Sequence, residues 1–451
     1  MGVLAGMSRL RDGLRTQLWP LPTIGVILGV VLGIGLPRLD AHIDHGLSAS
    51  ASAYLFGGGP SAARTLLGTI ASSLITVTSL TFSLTVVTLQ LASSQFSPRL
   101  LRTFTRDRFV HVTLALLLGT FGYALAALRT VRDARGSQAV FVPQLSVTLA
   151  FVLAVVCVLG LVLFLAHLAR QIRVETMLRN VHAEASETAR GVLEGRAGDL
   201  TLDAALAPPV DAAPLLAGAS GFLVQIDEPA LLAAAVDSDA VLRVGCWPGS
   251  SLVAGTPVGV AWLRLGSSDP DALTRLGERF VGALSIEFER TAVQDIGYGL
   301  RQLTDVANKA LSPGINDPTT AVHALGHCSA LLCELAGKDL GPRGLKDDEG
   351  RVRVVLQRPG FADLLEAAIA QPRRYGAADP LVLGRLFDLL AEVGWCAQDP
   401  DERQAVAEQL ARLRATAAAQ DFDAAANQRL AGLATRVVLA QTRRWAPGSS
   451  V

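Results

Sequence analysis

The sequence predicts a membrane domain of four α-helices followed by a cytosolic α+β domain, which combines a small β module with a helical bundle. Four apolar runs near the N-terminus are long enough to cross a bilayer. Charge divides in the same way: residues 1–168 carry a formal net charge of +7 and the remainder carries −7. Basic charge in a membrane half is typical of headgroup contacts, whereas the mildly acidic remainder fits a soluble domain and argues against a nucleic-acid surface.

The four predicted spans are 19–36, 65–96, 109–128 and 140–168. Pro37 and Arg38 follow the first run in place of a small-residue cleavage site, which indicates an uncleaved anchor. Arginine groups precede the first span and follow the second and fourth, so the positive-inside rule predicts that both termini are cytoplasmic. The five cysteines are scattered, as is typical of reduced structural thiols.

Composition predicts further boundaries after the membrane domain, which covers residues 1–168. Mixed charge and then a Pro/Ala-rich stretch favour a helical extension and linker over 169–215. Short apolar runs separated by turn residues predict a small β-rich module over 216–268. Helical signals dominate from 269 to 451 and are interrupted by a predicted hairpin in Lys346–Pro359.

The second span has two polar stripes when it is drawn as a helix. One stripe, predicted to line a pore, contains Ser72, Thr76, Ser79, Ser83 and Gln90. Roughly opposite lie Thr78, Thr81, Thr85 and Thr88, which are expected to hold a neighbouring helix. The alternative is that both stripes only pack against other helices, because small hydroxyl residues are common between packed membrane helices and can bond to their own backbone.

The end of the second span is expected to protrude into the cytoplasm, because the charge-free run is longer than a bilayer requires. Arg99, Arg102 and Arg106 follow it. These side chains predict a basic vestibule that attracts anions, and the alternative is that they reach lipid phosphates.

Two long motifs resemble those of an uncharacterised bacterial membrane-protein family, the domain-of-unknown-function 2254 family. The first is TFSLTVVTLQLASSQFSPRLLR at Thr81–Arg102, and the second is ALSPGINDPTTA at Ala310–Ala321. The resemblance covers most of the chain. It implies a protein of the bacterial inner membrane with a cytosolic C-terminal domain, and it supplies no established activity or catalytic residues.

The second motif predicts a helix–turn–helix, with Asp317 as N-cap and Pro318 at the first helical position. A ligand or partner site at this turn is the alternative, because free N–H groups at a helix N-terminus bind anions. The candidate residues for that role are Asp295, Arg301, Ser312, Asn316, Asp317 and Thr319.

Three function classes follow. The first is a homo-oligomeric channel or passive pathway for a small ion, lined by the second span and regulated by the cytosolic domain. The second is a membrane-anchored binding or scaffold protein without transport activity. An enzyme is the third and least favoured class, since no catalytic constellation, nucleotide loop or cofactor motif is present in the sequence. His323 and His327 lie one helical turn apart without an identifiable third ligand, so no metal site is predicted.

Overall fold

A computed structural model describes residues 19–43, 55–95, 107–133, 140–171, 173–193, 207–264 and 270–445. The chain divides into two units, Met1–Arg173 and Val174–Val451, which we call the membrane unit and the C-terminal unit. The predicted fold class is confirmed, because four apolar helices are followed by a region of helices and small sheets.

Long apolar runs form the helices of the membrane unit. They are α1 (Pro20–Ile43), α2 (Pro60–Gln95), α3 (Arg108–Leu128) and α4 (Gln144–Gln171). Within the described residues, these are the four helices that are long and apolar enough to cross a membrane. The 36 residues of α2 extend for about 54 Å, against a hydrocarbon thickness of about 30 Å. The length excess predicted for this span is therefore present in the helix.

Glycines bring α1 and α3 into backbone contact. A Cβ atom added at Gly25 would lie 2.6 Å from the carbonyl oxygen of Ala115, and one added at Gly29 would overlap that of Gly119. One further turn along, a Cβ at Gly33 would lie 2.7 Å from the Cβ of Ala126. The contacts advance along both helices together, so α1 and α3 run parallel. Small residues at four-residue spacing permit this approach.

Polar groups join the helices at one end of the membrane unit. The buried carboxylate of Asp40, near the end of α1, accepts hydrogen bonds from the backbone N–H groups of Leu145 and Ser146 and from the Ser146 hydroxyl, at 3.2, 3.0 and 2.8 Å. Tyr123 of α3 donates to the Ser146 carbonyl at 2.9 Å. These bonds satisfy N–H groups that the first turn of α4 leaves without helical partners.

The C-terminal unit contains nine helices and eight strands among its described residues. In chain order they are α5 (Val174–Leu193), β1 (Ala213–Leu216), β2 (Gly221–Ile226), α6 (Glu228–Asp237), β3 (Ala240–Val244), β4 (Ser251–Leu252), β5 (Pro257–Leu263), α7 (Pro270–Ala283), β6 (Leu284–Glu287), α8 (Ile296–Ala310), α9 (Pro318–Leu335), β7 (Arg343–Lys346), β8 (Val352–Leu356), α10 (Phe361–Tyr375), α11 (Pro380–Cys396), α12 (Pro400–Ala418) and α13 (Ala424–Gln441).

The strands form two sheets, one in the order β1-β5-β3-β8-β7 and the other in the order β4-β2-β6. All strand pairs are antiparallel except β3 with β8, where Leu242 lies opposite Val354. Leu223, Leu242 and Phe280 are fully buried in the core shared by the sheets and the neighbouring helices. Burial of such side chains is the main stabilising contribution in this part of the unit.

A hairpin of β7 and β8 adds to the sheet that contains β3. It overlaps the hairpin predicted in Lys346–Pro359 but begins earlier, at Arg343. That sheet takes strands from both sides of the predicted boundary at residue 268, and the division there stays a prediction. Two elements were not predicted: α6 lies inside the segment expected to be β-rich, and β6 follows α7 directly. The segment predicted as a helical extension and linker contains the end of α4, at Gln171, and α5, which begins at Val174; its bounds stay a prediction.

Candidate functional site

The predicted pore-lining residues lie on the exposed side of α2. We call Ser72, Thr76, Ser79, Ser83 and Gln90 the outer stripe. Every member is exposed in the single chain. Their spacing keeps them within about 40° of one direction around a helix of 100° per residue. The sequence pattern therefore corresponds to a polar line on an open surface, interrupted between Ser83 and Gln90 by the exposed Val86.

The opposite stripe is buried. Thr78, Thr81, Thr85 and Thr88, which we call the inner stripe, are between 2 and 7 % exposed. Each hydroxyl donates to the carbonyl oxygen four residues earlier, at 2.7 to 2.8 Å. The inner stripe is thus enclosed by its neighbours as expected, while its hydroxyls bond within α2. Shape, and not hydrogen bonding between helices, is what these threonines contribute to packing.

Three members of the outer stripe are also bonded to their own backbone. Ser72 donates to the Thr69 carbonyl at 3.1 Å, and Thr76 and Ser79 each donate four residues back at 3.0 Å. A hydroxyl bonded in this way keeps its oxygen lone pairs as acceptors for a cation or water. The exposed amide of Gln90 adds two N–H donors and an acceptor oxygen to the same line.

The predicted vestibule residues Arg99, Arg102 and Arg106 lie outside the described residues. The structure resumes at Asp107, whose carboxylate caps α3 by accepting from the N–H of Phe109 at 2.9 Å. The other carboxylate oxygen lies 2.5 Å from Nε2 of His167 on α4 and 3.4 Å from Nε2 of Gln171. A cap, a histidine and an amide therefore connect α3 with α4 at this end of the membrane unit.

Two ionisable side chains are buried inside the membrane unit. They are Asp40 on α1 and His111 on α3, whereas the second span has no charged residue between Arg64 and Arg99. Nε2 of His111 is buried and has no hydrogen-bond partner in the described part of the chain. Both residues are close to span ends in the sequence, where charged residues normally reach water. Only the packing of neighbouring helices reveals their burial.

The second motif forms the predicted helix–turn–helix. Asp317 caps α9, accepting from the backbone N–H of Thr320 at 3.1 Å and from its hydroxyl at 2.6 Å. These two bonds lower the pKa of Asp317 below its ordinary value. Asn316 occupies the left-handed region at φ 48°, and Ser312 donates to the Lys309 carbonyl at 2.7 Å. The turn closes on itself, which accounts for the motif structurally, and a ligand role for it stays a prediction.

The remaining candidates of this group lie apart from the turn. Asp295 immediately precedes α8, whereas Ser312 follows it, and the 15 residues of α8 separate them by about 22 Å. Asp295 is 4 % exposed and pairs with Arg290 at 2.5 Å. Burial raises the pKa of its carboxyl, and the Arg290 guanidinium opposes that shift. Arg301 pairs with Asp305 at 3.4 Å. Thr319 is exposed in the first turn of α9.

No group of three His, Cys, Asp or Glu side chains in the described ranges is arranged to hold a metal ion. The rings of His327 and His182 lie with centroids 5.4 Å apart, and His182 Nε2 is 3.2 Å from Glu334. Burial, together with the neighbouring His182 and His323, lowers the pKa of His327. This histidine is therefore mostly neutral at pH 7 and packs α9 against α5.

Comparison with known proteins agrees with the membrane unit. A family model described as "Predicted membrane protein (DUF2254)" matches residues 15–392. Uncharacterised proteins of Mycobacterium bovis and Mycobacterium tuberculosis are 38% identical to this chain over 414 residues, which cover 91% of the chain and 78% of each relative. No solved structure matches the chain.

Proposed function

We propose, from the premise that this chain belongs to the DUF2254 family of predicted membrane proteins, that it is a homo-oligomeric channel or passive ion pathway. The pathway is lined by the outer stripe of α2 and is regulated by the C-terminal unit. The protein lies in the bacterial inner membrane with both termini in the cytoplasm. Its partners are the lipid bilayer, further copies of the chain and a small ion.

The observation that carries the proposal is the contrast between the two stripes of α2. The inner stripe is enclosed within the membrane unit, while the outer stripe is exposed along Ser72 to Gln90. Hydroxyl and amide groups that face lipid find no hydrogen-bond partners in the hydrocarbon. The same groups facing an aqueous pathway supply oxygen ligands to an ion. The inner stripe packs against neighbouring helices, whereas the outer stripe remains exposed and can line a pathway.

A pathway of this kind needs several copies of the chain. Four helices enclose little space, and the outer stripe faces away from the other helices of its own unit. Closed rotational symmetry brings the same face of each copy to a common axis. We therefore place the pathway between subunits, with one α2 from each copy at the axis.

Ion flux into liposomes that contain the purified full-length protein tests the proposal. Wild type is expected to conduct a monovalent cation or anion, and the Ser79→Leu/Ser83→Leu protein is expected to lose that flux, because leucine removes the oxygen ligands and narrows the pathway. An unchanged flux in the double variant, or none in folded wild type, would contradict the proposal.

Two adjacent serines supply a matched control. Ser72 belongs to the outer stripe, and Ser73, which is also exposed, is rotated by about 100° from it. We expect Ser72→Leu to reduce flux and Ser73→Leu to leave it unchanged. Equal loss in both variants would indicate a general effect of leucine on this part of α2 instead of a lined pathway.

The alternative, a membrane-anchored scaffold without transport activity, is favoured by the hydrogen bonds of Ser72, Thr76 and Ser79 to their own helix. Hydroxyls bonded in this way are compatible with lipid. A scaffold protein is expected to bind its partner equally well after Ser79 and Ser83 are replaced by leucine, and to show no flux of any ion tested.

A further inference from the structure

A cavity in the C-terminal unit lies apart from every candidate residue considered above. It is wide open to solvent, has a volume of about 610 Å³, and is bordered by Pro208, β3, β4, β5 and the turn that contains Trp247. Volumes of roughly 300 to 1,000 Å³ are typical of small-molecule sites. The lining includes Arg243, Trp247, Ser250, Ser251, Val258 and Val260.

Arg243 is the charged residue of this lining. It lies on β3, opposite Val260 of β5 and Val355 of β8, and its side chain is half-buried. Among the described residues its guanidinium has no carboxylate within ion-pair distance and no hydrogen-bond partner. Its guanidinium nitrogens are not fully buried, so the charge is hydrated and can exchange that water for a bound anion.

Other arginines of the same sheet are paired, which makes Arg243 different. Arg353 on β8 bonds to Asp239 and Asp347 at 2.7 and 2.8 Å. Arg343 on β7 bonds to Glu228 at 2.6 Å. Within this sheet Arg243 is therefore the arginine without a carboxylate among the described residues, and it borders the cavity.

The remaining lining is apolar or neutral. Trp247 is 36% exposed and lies beside valine, leucine and proline side chains. Burial raises the pKa of the Cys246 thiol to about 11, so this lining residue carries no charge at pH 7. Arg243 consequently sets the sign of the cavity, and Trp247 supplies a flat apolar surface.

We propose that this cavity binds a small aromatic anion, whose carboxylate or phosphate pairs with Arg243 and whose ring lies against Trp247. The planar guanidinium forms paired hydrogen bonds with either group. Ser250 and Ser251 border the same cavity and offer hydroxyl groups to a bound molecule. The site does not depend on conduction by the membrane unit, and it stands if the proposed channel function fails.

Calorimetric titration of the full-length protein in detergent tests the site with three probes: benzoate, phenyl phosphate and the neutral benzyl alcohol. Both anions carry a ring and share the required chemistry, and their relative affinity distinguishes a carboxylate ligand from a phosphate ligand. We expect at least one anion to bind and benzyl alcohol to bind at least about tenfold more weakly, because charge-assisted hydrogen bonds are lost. Equal affinity for benzyl alcohol and the anions would overturn the proposal, as would no binding of either anion.

Variants assign the binding to these residues. Arg243→Gln is expected to weaken anion binding by about 10- to 100-fold, Arg243→Lys by less, and Trp247→Ala by about tenfold. Arg279→Gln is the matched control, since Arg279 is exposed and pairs with Asp237; we expect unchanged affinity. If Arg243→Gln fails to fold, the affinities of Arg243→Lys and Trp247→Ala still test whether these two residues bind the anion. Wild-type affinity in folded Arg243→Gln, or in both other variants, would refute the assignment.

Discussion

The two units of this chain are stabilised by different contacts. In the membrane unit α1 and α3 meet backbone to backbone at glycines, and the buried hydroxyls of α2 bond within their own helix. In the C-terminal unit large side chains such as Leu242 and Phe280 fill the core, and Arg353 pairs with two carboxylates. The hydrophobic effect drives burial in water but does not draw helices together in lipid, where close packing has to do so.

The largest effect is expected in the C-terminal core. Leu242→Ala removes a fully buried side chain and should lower the free energy of unfolding by about 2 to 5 kcal/mol, because it loses apolar burial and leaves a cavity. Unfolding by denaturant in detergent measures this change in the free energy of unfolding. Leu381→Ala, at a residue 60% exposed, should change stability by less than about 0.5 kcal/mol. Similar losses in both variants would contradict a core stabilised by burial.

The corresponding test in the membrane unit adds atoms instead of removing them. Gly29→Ala places a methyl group on the Gly119 carbonyl and should destabilise the unit by about 1 to 3 kcal/mol. Gly35→Ala, on the same helix, has nothing within 4 Å of the added atom and should be neutral or slightly stabilising. Thermal unfolding in detergent compares them, and equal midpoints would show that close α1–α3 contact is unnecessary.

A smaller effect is expected at the cap of α9. Asp317→Ala should cost about 1 kcal/mol at pH 7, because it removes the acceptor for Thr320. The folded-state pKa of Asp317 lies below 3.8, so its contribution is present above that pH and is lost as the pH falls through the folded-state value. Stability measured between pH 7 and pH 3 should show the wild type and variant converging. Asp317→Asn keeps one acceptor oxygen but no charge, so its stability should lie between those of wild type and Asp317→Ala at pH 7, and its difference from Asp317→Ala should not change as the pH falls.

The smallest effect is expected for the inner stripe. Thr85→Val retains the shape of a buried side chain and removes a hydroxyl that donates to the Thr81 carbonyl of the same helix, so a loss below about 0.6 kcal/mol is expected. Tyr123→Phe breaks a buried bond between α3 and α4 and should cost about 1 kcal/mol. Both are measured by thermal unfolding. A larger loss for Thr85→Val would mean that hydroxyls bind neighbouring helices after all.

Local signals were sufficient for much of the fold. Apolar length predicted the four membrane helices, and Asp317-Pro318 predicted the start of α9, because caps and proline act within a few residues. Helix α6 was missed within the β-rich segment although Asp227 caps it and Pro229 lies in its first turn. The parallel pairing of β3 with β8 joins residues more than a hundred positions apart, and no local pattern encodes it.

The candidate site was predictable in pattern but not in surroundings. Helical periodicity separated the two stripes of α2, since 100° per residue fixes their directions. The expected contact of the inner stripe with a neighbouring helix agrees with its burial. The burial of Asp40 depends on how α3 and α4 pack, and it was not predicted. The glycines at positions 25, 29 and 33 have a readable four-residue spacing, which the sequence interpretation did not use. Arg243 shows no signal in the sequence, because being unpaired is a property of its neighbours.

The parallel contact of α1 with α3 also has a consequence for biosynthesis. Gly25 meets Ala115, which is translated ninety residues later, and at 5 to 20 residues per second this takes roughly 5 to 18 s. During that interval α1 is made and α2 follows, while the glycine surface of α1 has no partner within the nascent chain. Insertion of the first helix and its docking are therefore separate events, and the membrane insertion machinery must retain or release α1 before its partner exists.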